Sequence, residues 1–123
     1  MLRMDQTEMI GRVAERLRAI ADENRIRLLL ALKEGEQTVG GLTELLGLGQ
    51  ASTSKHLGVL KVAGLVDCRK AGTQCWYRIK DPQVFEMCAL VCAGVVRHIE
   101  AQQAALRGFE LLAKAGSKKG KVA

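Results

Sequence analysis

The fold of this chain is decided by one stretch, which reads Gln50-Ala51-Ser52-Thr53-Ser54-Lys55-His56-Leu57-Gly58-Val59-Leu60-Lys61-Val62-Ala63-Gly64-Leu65. Leu57, Leu60 and Ala63 recur at helical spacing and form one apolar stripe. The opposite side begins with small hydroxyl, amide and basic side chains, and Gly64 lies where a helix end favours a left-handed residue. A helix that is apolar beneath and carries hydrogen-bonding groups at its exposed N-terminal end suits insertion into the DNA major groove.

Apolar residues at helical spacing predict three helices ahead of this stretch, at about Thr7–Ala21, Asn24–Lys33 and Val39–Leu46. Asp22 and Thr38 are suitable N-caps for the second and the third of them. A tight turn, Gly47-Leu48-Gly49, then leads into the helix from Gln50.

Beyond Gly64 the hydrophobic period changes from that of a helix to that of strands. Leu65–Lys70 and Gln74–Lys80 are predicted to be two strands joined around Ala71-Gly72-Thr73, which makes a hairpin. Arg69, Lys70 and Thr73 lie near the tip of this hairpin.

The last helix is predicted to begin at Asp81-Pro82, with Asp as the cap and Pro in the first turn, and to run to about Leu112. Its apolar stripe is too long to be buried by such a small domain, so a second copy of the chain is the natural cover. We therefore expect a homodimer built from the first and last helices. Residues 1–115 should form one DNA-binding and dimerisation domain, and residues 116–123 a basic disordered tail.

Two helices, a glycine turn, a polar and basic helix and a basic hairpin together predict a winged helix-turn-helix, mainly α with a small β-hairpin. Its polar and basic groups would contact the bases and phosphates of double-stranded DNA. The candidate DNA-binding residues are Gln50, Ser52, Thr53, Ser54, Lys55, His56, Lys61, Arg69, Lys70 and Thr73. Two alternatives stay open, namely helix capping for Ser52 and Thr53 and a structural role for His56. A two-fold dimer presents two such helices, so the operator should be an inverted repeat.

The composition agrees with an acidic partner. The 123 residues carry a formal net charge of +6, and residues 50–80 hold six cations against Asp67 alone. No paired-carboxylate site, phosphate-binding glycine loop or Ser/His/Asp set at recognisable spacing is present in the sequence, so an enzyme is not expected. No segment resembles a signal peptide or a transmembrane span, which favours a cytoplasmic location without a membrane partner.

The sequence resembles the ArsR/SmtB family of bacterial repressors over roughly residues 8–100. The matching pieces are Ala21-Asp22-Glu23-Asn24-Arg25-Ile26-Arg27-Leu28-Leu29, Gly49-Gln50-Ala51-Ser52-Thr53-Ser54-Lys55-His56-Leu57, Ala63-Gly64-Leu65-Val66 and Gly72-Thr73-Gln74-Cys75-Trp76-Tyr77-Arg78-Ile79. The resemblance implies a dimeric winged-helix repressor that leaves its operator when an inducer binds. Many members of the family sense metal ions, metalloids, oxidants or reactive sulfur.

Two metal sites of that family lack their ligands in this sequence. Relatives that bind arsenite or cadmium in the third helix carry a Cys-x-Cys, and the matching positions here are Thr38 and Gly40. Relatives that bind zinc between the paired last helices use an Asp-x-His and a later His-x-x-Glu or His, of which only Asp81 is kept. Neither site is therefore expected.

Cys88 and Cys92 are four residues apart on the last helix, so both sulfurs lie over one part of its surface. Two such thiolates could bind a soft metal or metalloid with a third ligand from elsewhere, or could be oxidised. The alternative is that both cysteines pack as small hydrophobic groups in the apolar stripe. The first interpretation predicts a repressor released by a thiophilic ion such as arsenite, or by an oxidant or reactive sulfur, with no cofactor required. The second interpretation predicts a DNA-binding regulator with structural cysteines, which either responds to a signal that does not react with thiols or binds DNA constitutively.

Cys68 and Cys75 form a second candidate pair, on the hairpin. If Ala71-Gly72 is a two-residue turn, position 68 faces position 75 across the two strands. If the turn is one residue longer, the register shifts and the two cysteines no longer face each other. A winged helix used only for protein contacts is a further alternative for the whole chain, and the six cations of residues 50–80 argue against it.

Overall fold

The computed structural model describes residues 3–121, without the side chains of residues 117–121. Five helices and three strands follow one another in it as α1 Gln6–Ile20, α2 Glu23–Lys33, β1 Gln37–Thr38, α3 Val39–Leu46, α4 Gln50–Val62, β2 Val66–Ala71, β3 Gln74–Ile79 and α5 Gln83–Lys121. The chain divides into two compact units, one ending at Pro82 and the other beginning at Gln83. The prediction of a mainly helical fold with a small hairpin is confirmed.

Side-chain caps fix where the early helices begin. Asp22 accepts hydrogen bonds from the backbone N–H groups of Asn24 and Arg25, and Thr38 accepts one from Gly41, as both were predicted to do. Sequence reasoning missed a capping box at α1, in which the Asp5 carboxylate accepts from Glu8 N at 2.7 Å and Glu8 accepts from Asp5 N at 3.2 Å. These caps set the helix starts within one residue of their predicted positions.

The sheet has three strands, where the sequence predicted two. The short β1 pairs with β3, so the strand order is β1-β3-β2 with antiparallel neighbours. A two-residue strand shows no alternation of apolar and polar side chains, which is why the pattern did not reveal it. β2 and β3 meet at a two-residue turn, Gly72-Thr73, in which Gly72 has φ of 65°. We call the hairpin of β2 and β3 the wing.

The core of the first unit is made of aliphatic side chains from the helices and the start of the wing. Its fully buried members are Leu28, Leu29, Leu42, Leu57, Leu60, Leu65 and Val66. They come from α2, α3, α4 and the entrance to β2, so this one cluster holds the helix-turn-helix against the wing. The back of α4 is thereby fixed, and its other face is left outward.

Arg16 ties α1 to the end of α4. Its guanidinium donates to the carbonyl oxygen of Ala63 at 2.9 Å and forms an ion pair with Asp81. Ala63 is the C-cap of α4, and its carbonyl lies where helical partners run out. The arginine therefore stabilises the exit of α4 and holds the segment after β3 beside it.

Helix α5 is a unit by itself. It runs from Gln83 to Lys121, about nine residues past its predicted end at Leu112. The predicted tail, residues 116–123, falls on its last turns and on residues outside the described part, so its disorder stays a prediction. Among the described residues, no helix is long and apolar enough to cross a lipid bilayer.

Candidate nucleic-acid interface

Glycines set both ends of α4. Gly47, at φ of 68°, ends α3, and Gly49 is the N-cap of α4 without a side chain to bond the first-turn N–H groups. At the other end Gly64 is left-handed at φ of 78°, with Leu65 N bonded to Leu60 O and Gly64 N bonded to Lys61 O. This is the Schellman pattern, which stops the helix sharply. The first-turn N–H groups of α4 are left as positive donors suited to a phosphate.

The outward face of α4 carries five of the ten residues predicted to bind DNA. Gln50, Ser54, Lys55 and Lys61 are exposed, and Ser52 is half-buried. Ala51, Gly58 and Val62 are exposed on the same helix and were not among the predicted residues. The outward face thus combines an amide, hydroxyls and ammonium groups with two small residues, Ala51 and Gly58, beside which another backbone can approach closely. That mixture suits base edges and phosphates in a groove.

Thr53 corrects the prediction. Its side chain is 0% exposed, its hydroxyl donates to Gly49 O at 3.0 Å, and it accepts from the Thr43 hydroxyl at 3.0 Å. A fully buried side chain with both roles satisfied has no reach to DNA. Thr53 therefore joins α3 to α4 inside the turn, and it does not cap α4 either, because the N-cap is Gly49 and receives no side-chain cap hydrogen bond. The signal was present in the sequence, because positions 53, 57 and 60 share one helical face.

His56 lies against the N-terminus of α2. Its side chain is 14% exposed, with Nδ1 3.2 Å from an Arg25 nitrogen and 4.0 Å from the Asp22 carboxylate. The backbone hydrogen bond from Arg25 is the main cause that holds the pKa of Asp22 below its ordinary value. These contacts favour the structural role left open for His56, and its contact with DNA stays a prediction.

The wing has two of its cations paired with acids. Arg69 donates to both Glu36 carboxylate oxygens at 3.0 and 3.2 Å and lies over the Trp76 ring, and Arg78 donates to Asp67 at 2.7 Å. Hydrogen bonding from Arg69 lowers the pKa of Glu36 below its ordinary value. The carboxylate beside each arginine partly neutralises its positive charge, so the arginine attracts a phosphate less strongly.

Lys70 and Thr73 remain exposed at the wing tip. Lys70 forms no ion pair with an acid of the described part, and the same is true of Lys55 and Lys61 on α4. These three lysines are therefore the strongest candidates for neutralising phosphates.

The four cysteines are free thiols at two places. On α5, Cys88 is half-buried and Cys92 exposed. On the wing, Cys68 is opposite Tyr77 and Cys75 is opposite Lys70, so the two cysteines do not face each other. The turn is one residue later than Ala71-Gly72, and that shift produces this register. In the part of the chain described, no three His, Cys, Asp or Glu side chains come together as metal ligands.

A substitution at Gly58, on the outward face of α4, separates an effect on the stability of the fold from an effect on DNA binding. It lies inside α4, and a Cβ added there meets nothing within 4 Å, so the protein's own packing does not require glycine. Gly58→Ala should raise the free energy of unfolding by about 0.5–1 kcal/mol, because alanine loses less conformational entropy in a helix. If DNA approaches this face closely, the same methyl group should weaken DNA binding. Urea unfolding and DNA titration measure the two effects.

Gly108→Ala is the matched control, since Gly108 is inside α5 with equally open space around an added Cβ. It should stabilise the chain similarly and leave the affinity for DNA unchanged. Unchanged affinity in Gly58→Ala as well would remove Gly58 from the interface.

The helix-turn-helix, the outward polar face of α4 and the lysine-bearing wing define a winged helix-turn-helix protein of the DNA-binding class. A family model described as bacterial regulatory protein, arsR family, matches residues 22–67. The biofilm growth-associated repressor of Xylella fastidiosa is 33% identical over 87 residues, which are 71% of this chain and 76% of that protein.

Solved structures agree with these matches. Reduced HlyU from Vibrio cholerae superposes with a TM-score of 0.61 at 32% identity, covering 69% of this chain and 90% of HlyU. A homodimeric winged helix-turn-helix DNA-binding domain from Mycobacterium bovis, described as a possible ArsR-family regulator, gives 0.68 at 30% identity and covers 80% and 93%. The chain belongs to the ArsR family of DNA-binding transcriptional regulators and is not an enzyme.

Proposed function

We propose that this protein is a homodimeric repressor that binds an inverted-repeat operator through α4 and the wing and leaves it when its cysteines react with an inducer. The observation that carries the proposal is the outward face of α4, which presents Gln50, Ser54 and Lys55 while Leu57 and Leu60 anchor the opposite face in the core. Similarity to a protein named as a repressor supports the direction of regulation.

Exposed apolar side chains support the dimer. On α1, the apolar side chains of Ile10, Val13 and Leu17 recur at helical spacing and are exposed. On α5, Val95 and Ile99 are exposed in the same way. Covering such residues removes apolar surface from water at about 25 cal/mol per Å². A second copy that uses α1 and α5 would provide this cover, and the similar domain described as homodimeric agrees with it.

The operator follows from the symmetry of such a dimer. Two copies of α4 related by a two-fold axis read the same sequence on opposite strands, so each half-site is the inverted repeat of the other. The half-sites should be about one helical turn apart, or a multiple of it. Because DNA is the partner, we place the protein in the cytoplasm.

The inducer should act at Cys88 and Cys92. Both lie on the same side of α5, and Cys92 is exposed while Cys88 is partly so, which leaves them open to a small reagent. A thiophilic metal or metalloid ion such as arsenite would find two sulfur ligands on each chain and could take a third from the partner subunit or from a small thiol. An oxidant or reactive sulfur species is the other kind of inducer that these thiols suit.

Fluorescence anisotropy tests the proposal with the reduced protein on DNA from its own promoter. Arsenite, cadmium, zinc and an organic persulfide are added in turn. We expect one of the four to weaken binding by about 5–150-fold, the usual size of coupling between two sites. The Cys88→Ser/Cys92→Ser variant should bind DNA as tightly and lose this response.

The Cys68→Ser/Cys75→Ser variant is the matched control and should keep the response to the same inducer. If the reagent among these four that releases the unmodified protein also releases Cys88→Ser/Cys92→Ser from DNA, sensing by the α5 pair is contradicted. Reduced protein that binds no promoter DNA at low salt would contradict the proposal as a whole.

A groove in the first unit favours a second candidate, in which the cysteines are structural and the signal is an organic ligand. It has a volume of about 1040 Å³ between α1 and α4, with Met9 and Val59 in its apolar lining and Arg12 and Lys55 among its basic residues. Such a lining suits an amphipathic organic anion. Cysteine variants that lose stability yet respond normally to the cell's signal would support this candidate over the first.

A further inference from the structure

The wing places both of its cysteines on one face. Cys68 is opposite Tyr77 and Cys75 is opposite Lys70. Because side chains two residues apart along a strand share a face, Cys68 and Cys75 are diagonal neighbours, with Cα atoms roughly 7–8 Å apart. Both side chains are half-buried, so a small reagent can reach them.

A lysine from α4 completes this cluster. Lys61, in the last turn of α4, donates from Nζ to Cys68 Sγ at 3.5 Å. This hydrogen bond is the main cause that raises the pKa of Lys61 above its ordinary value. Burial, and then the neighbouring cysteines, raise the pKa of Tyr77 as well. An ammonium group held against a sulfur balances the charge of the thiolate, which is the nucleophilic form.

We propose that Cys68, Cys75 and Lys61 form a thiol site on the wing that is oxidised by peroxides. The Cys68 thiolate attacks one oxygen of hydrogen peroxide, so that an S–O bond forms, the O–O bond breaks and hydroxide leaves. The Lys61 ammonium lies where it can hydrogen-bond that hydroxide, which takes a proton to become water. The Cys75 thiolate then attacks the sulfenic sulfur of Cys68, the S–S bond forms and a second hydroxide leaves to become water. Two thiols are oxidised to one disulfide, and one peroxide is reduced to two waters.

Closing this disulfide must change the shape of the wing. A disulfide needs Cα atoms about 4.4–6.8 Å apart, which is closer than diagonal neighbours lie. The strands must therefore shift against each other, and Lys70 moves with them because it is paired with Cys75. Lys61 also loses the hydrogen bond that its ammonium donates to the Cys68 sulfur. Both lysines are candidate phosphate contacts, so oxidation should weaken DNA binding. This consequence rests on the proposed DNA-binding function, whereas the thiol chemistry does not.

The test uses the full-length Cys88→Ser/Cys92→Ser variant, in which only the wing thiols remain. After treatment with hydrogen peroxide, peptide mapping by mass spectrometry should find Cys68 and Cys75 joined and both thiols lost. DNA affinity should fall by about 5–150-fold and return with dithiothreitol. Thiols that survive, or that are oxidised separately to sulfinic acids, would overturn the proposal. A disulfide that leaves the affinity unchanged would overturn its link to DNA.

Lys61→Met tests whether the Lys61 ammonium speeds the oxidation of Cys68, and Lys80→Met is its matched control. Lys80 is exposed one residue beyond β3, where alternation turns its side chain away from the face of Cys68 and Tyr77. Peroxide should oxidise Cys68 several-fold more slowly in Lys61→Met than in Lys80→Met, and equal rates would overturn the assignment of Lys61. If the reduced protein binds no DNA, the proposed function fails. The peptide mapping and the oxidation rate of Cys68 would still show whether the thiol site exists.

Discussion

The affinity of the reduced protein for its operator should fall about a thousandfold between 50 and 200 mM salt. Three exposed lysines on each chain, Lys55, Lys61 and Lys70, have no acid of the described part beside them, and the proposed function assigns each of them to a phosphate. A dimer would then make about six phosphate contacts, and each contributes roughly −0.9 to the slope of log K against log salt. Titrations at four or five salt concentrations measure this slope directly.

Single substitutions decide whether the slope comes from these lysines. Lys70→Ala should reduce its magnitude by about two, because each chain of the dimer loses one contact. Lys114→Ala removes the same charge from an exposed position on α5 and should leave the slope unchanged. Equal changes in the two variants would mean that total charge, not the wing tip, governs binding. A shallow slope in the unmodified protein would favour the alternative of a winged helix used for protein contacts.

The helices could be predicted because their signals are local. The apolar stripe of α4, the left-handed Gly64 and the caps Asp22 and Thr38 all act within a few residues of themselves, and the structure confirms each of them. The end of α5 could not be predicted in this way. No proline or glycine cap follows directly after Leu112, the predicted end, and the helix continues to Lys121.

What sequence reasoning missed depends on contacts between distant residues. The contact of Arg69 with DNA stays a prediction, but nothing near Arg69 in the chain indicates that its guanidinium pairs with Glu36, 33 residues away. The two-residue β1 exists only because β3 lies beside it. The position of Cys68 relative to Cys75 depended on which two residues form the turn, and one residue of uncertainty in the turn decides the register.

Thr53 shows a different kind of error, since its burial was visible in the spacing. It shares a helical face with Leu57 and Leu60, and that face is buried, so its hydroxyl is turned into the protein and not towards DNA. A polar side chain on an apolar face is more often a hydrogen-bonded core residue, as the contacts with Thr43 and Gly49 show.

Leu57→Ala should lower the free energy of unfolding by about 2–5 kcal/mol. The side chain is fully buried among the leucines that hold α4 against α2 and α3, so removing it leaves a cavity where DNA binding needs a fixed helix. Since single domains are stable by only about 5–15 kcal/mol, this one change should shift the urea midpoint strongly. Protein concentration must be held fixed, because the stability of a dimer depends on it.

Val62→Ala is the matched control on the same helix. Val62 is 92% exposed, so its truncation should change the free energy of unfolding by no more than about 0.5 kcal/mol. A large loss in Leu57→Ala beside none in Val62→Ala would establish which face of α4 is packed, and therefore which face is left for DNA. Equal, small losses in both variants would mean that α4 is not anchored as the structure shows, and the assignment of its outward face to the operator would fall with it.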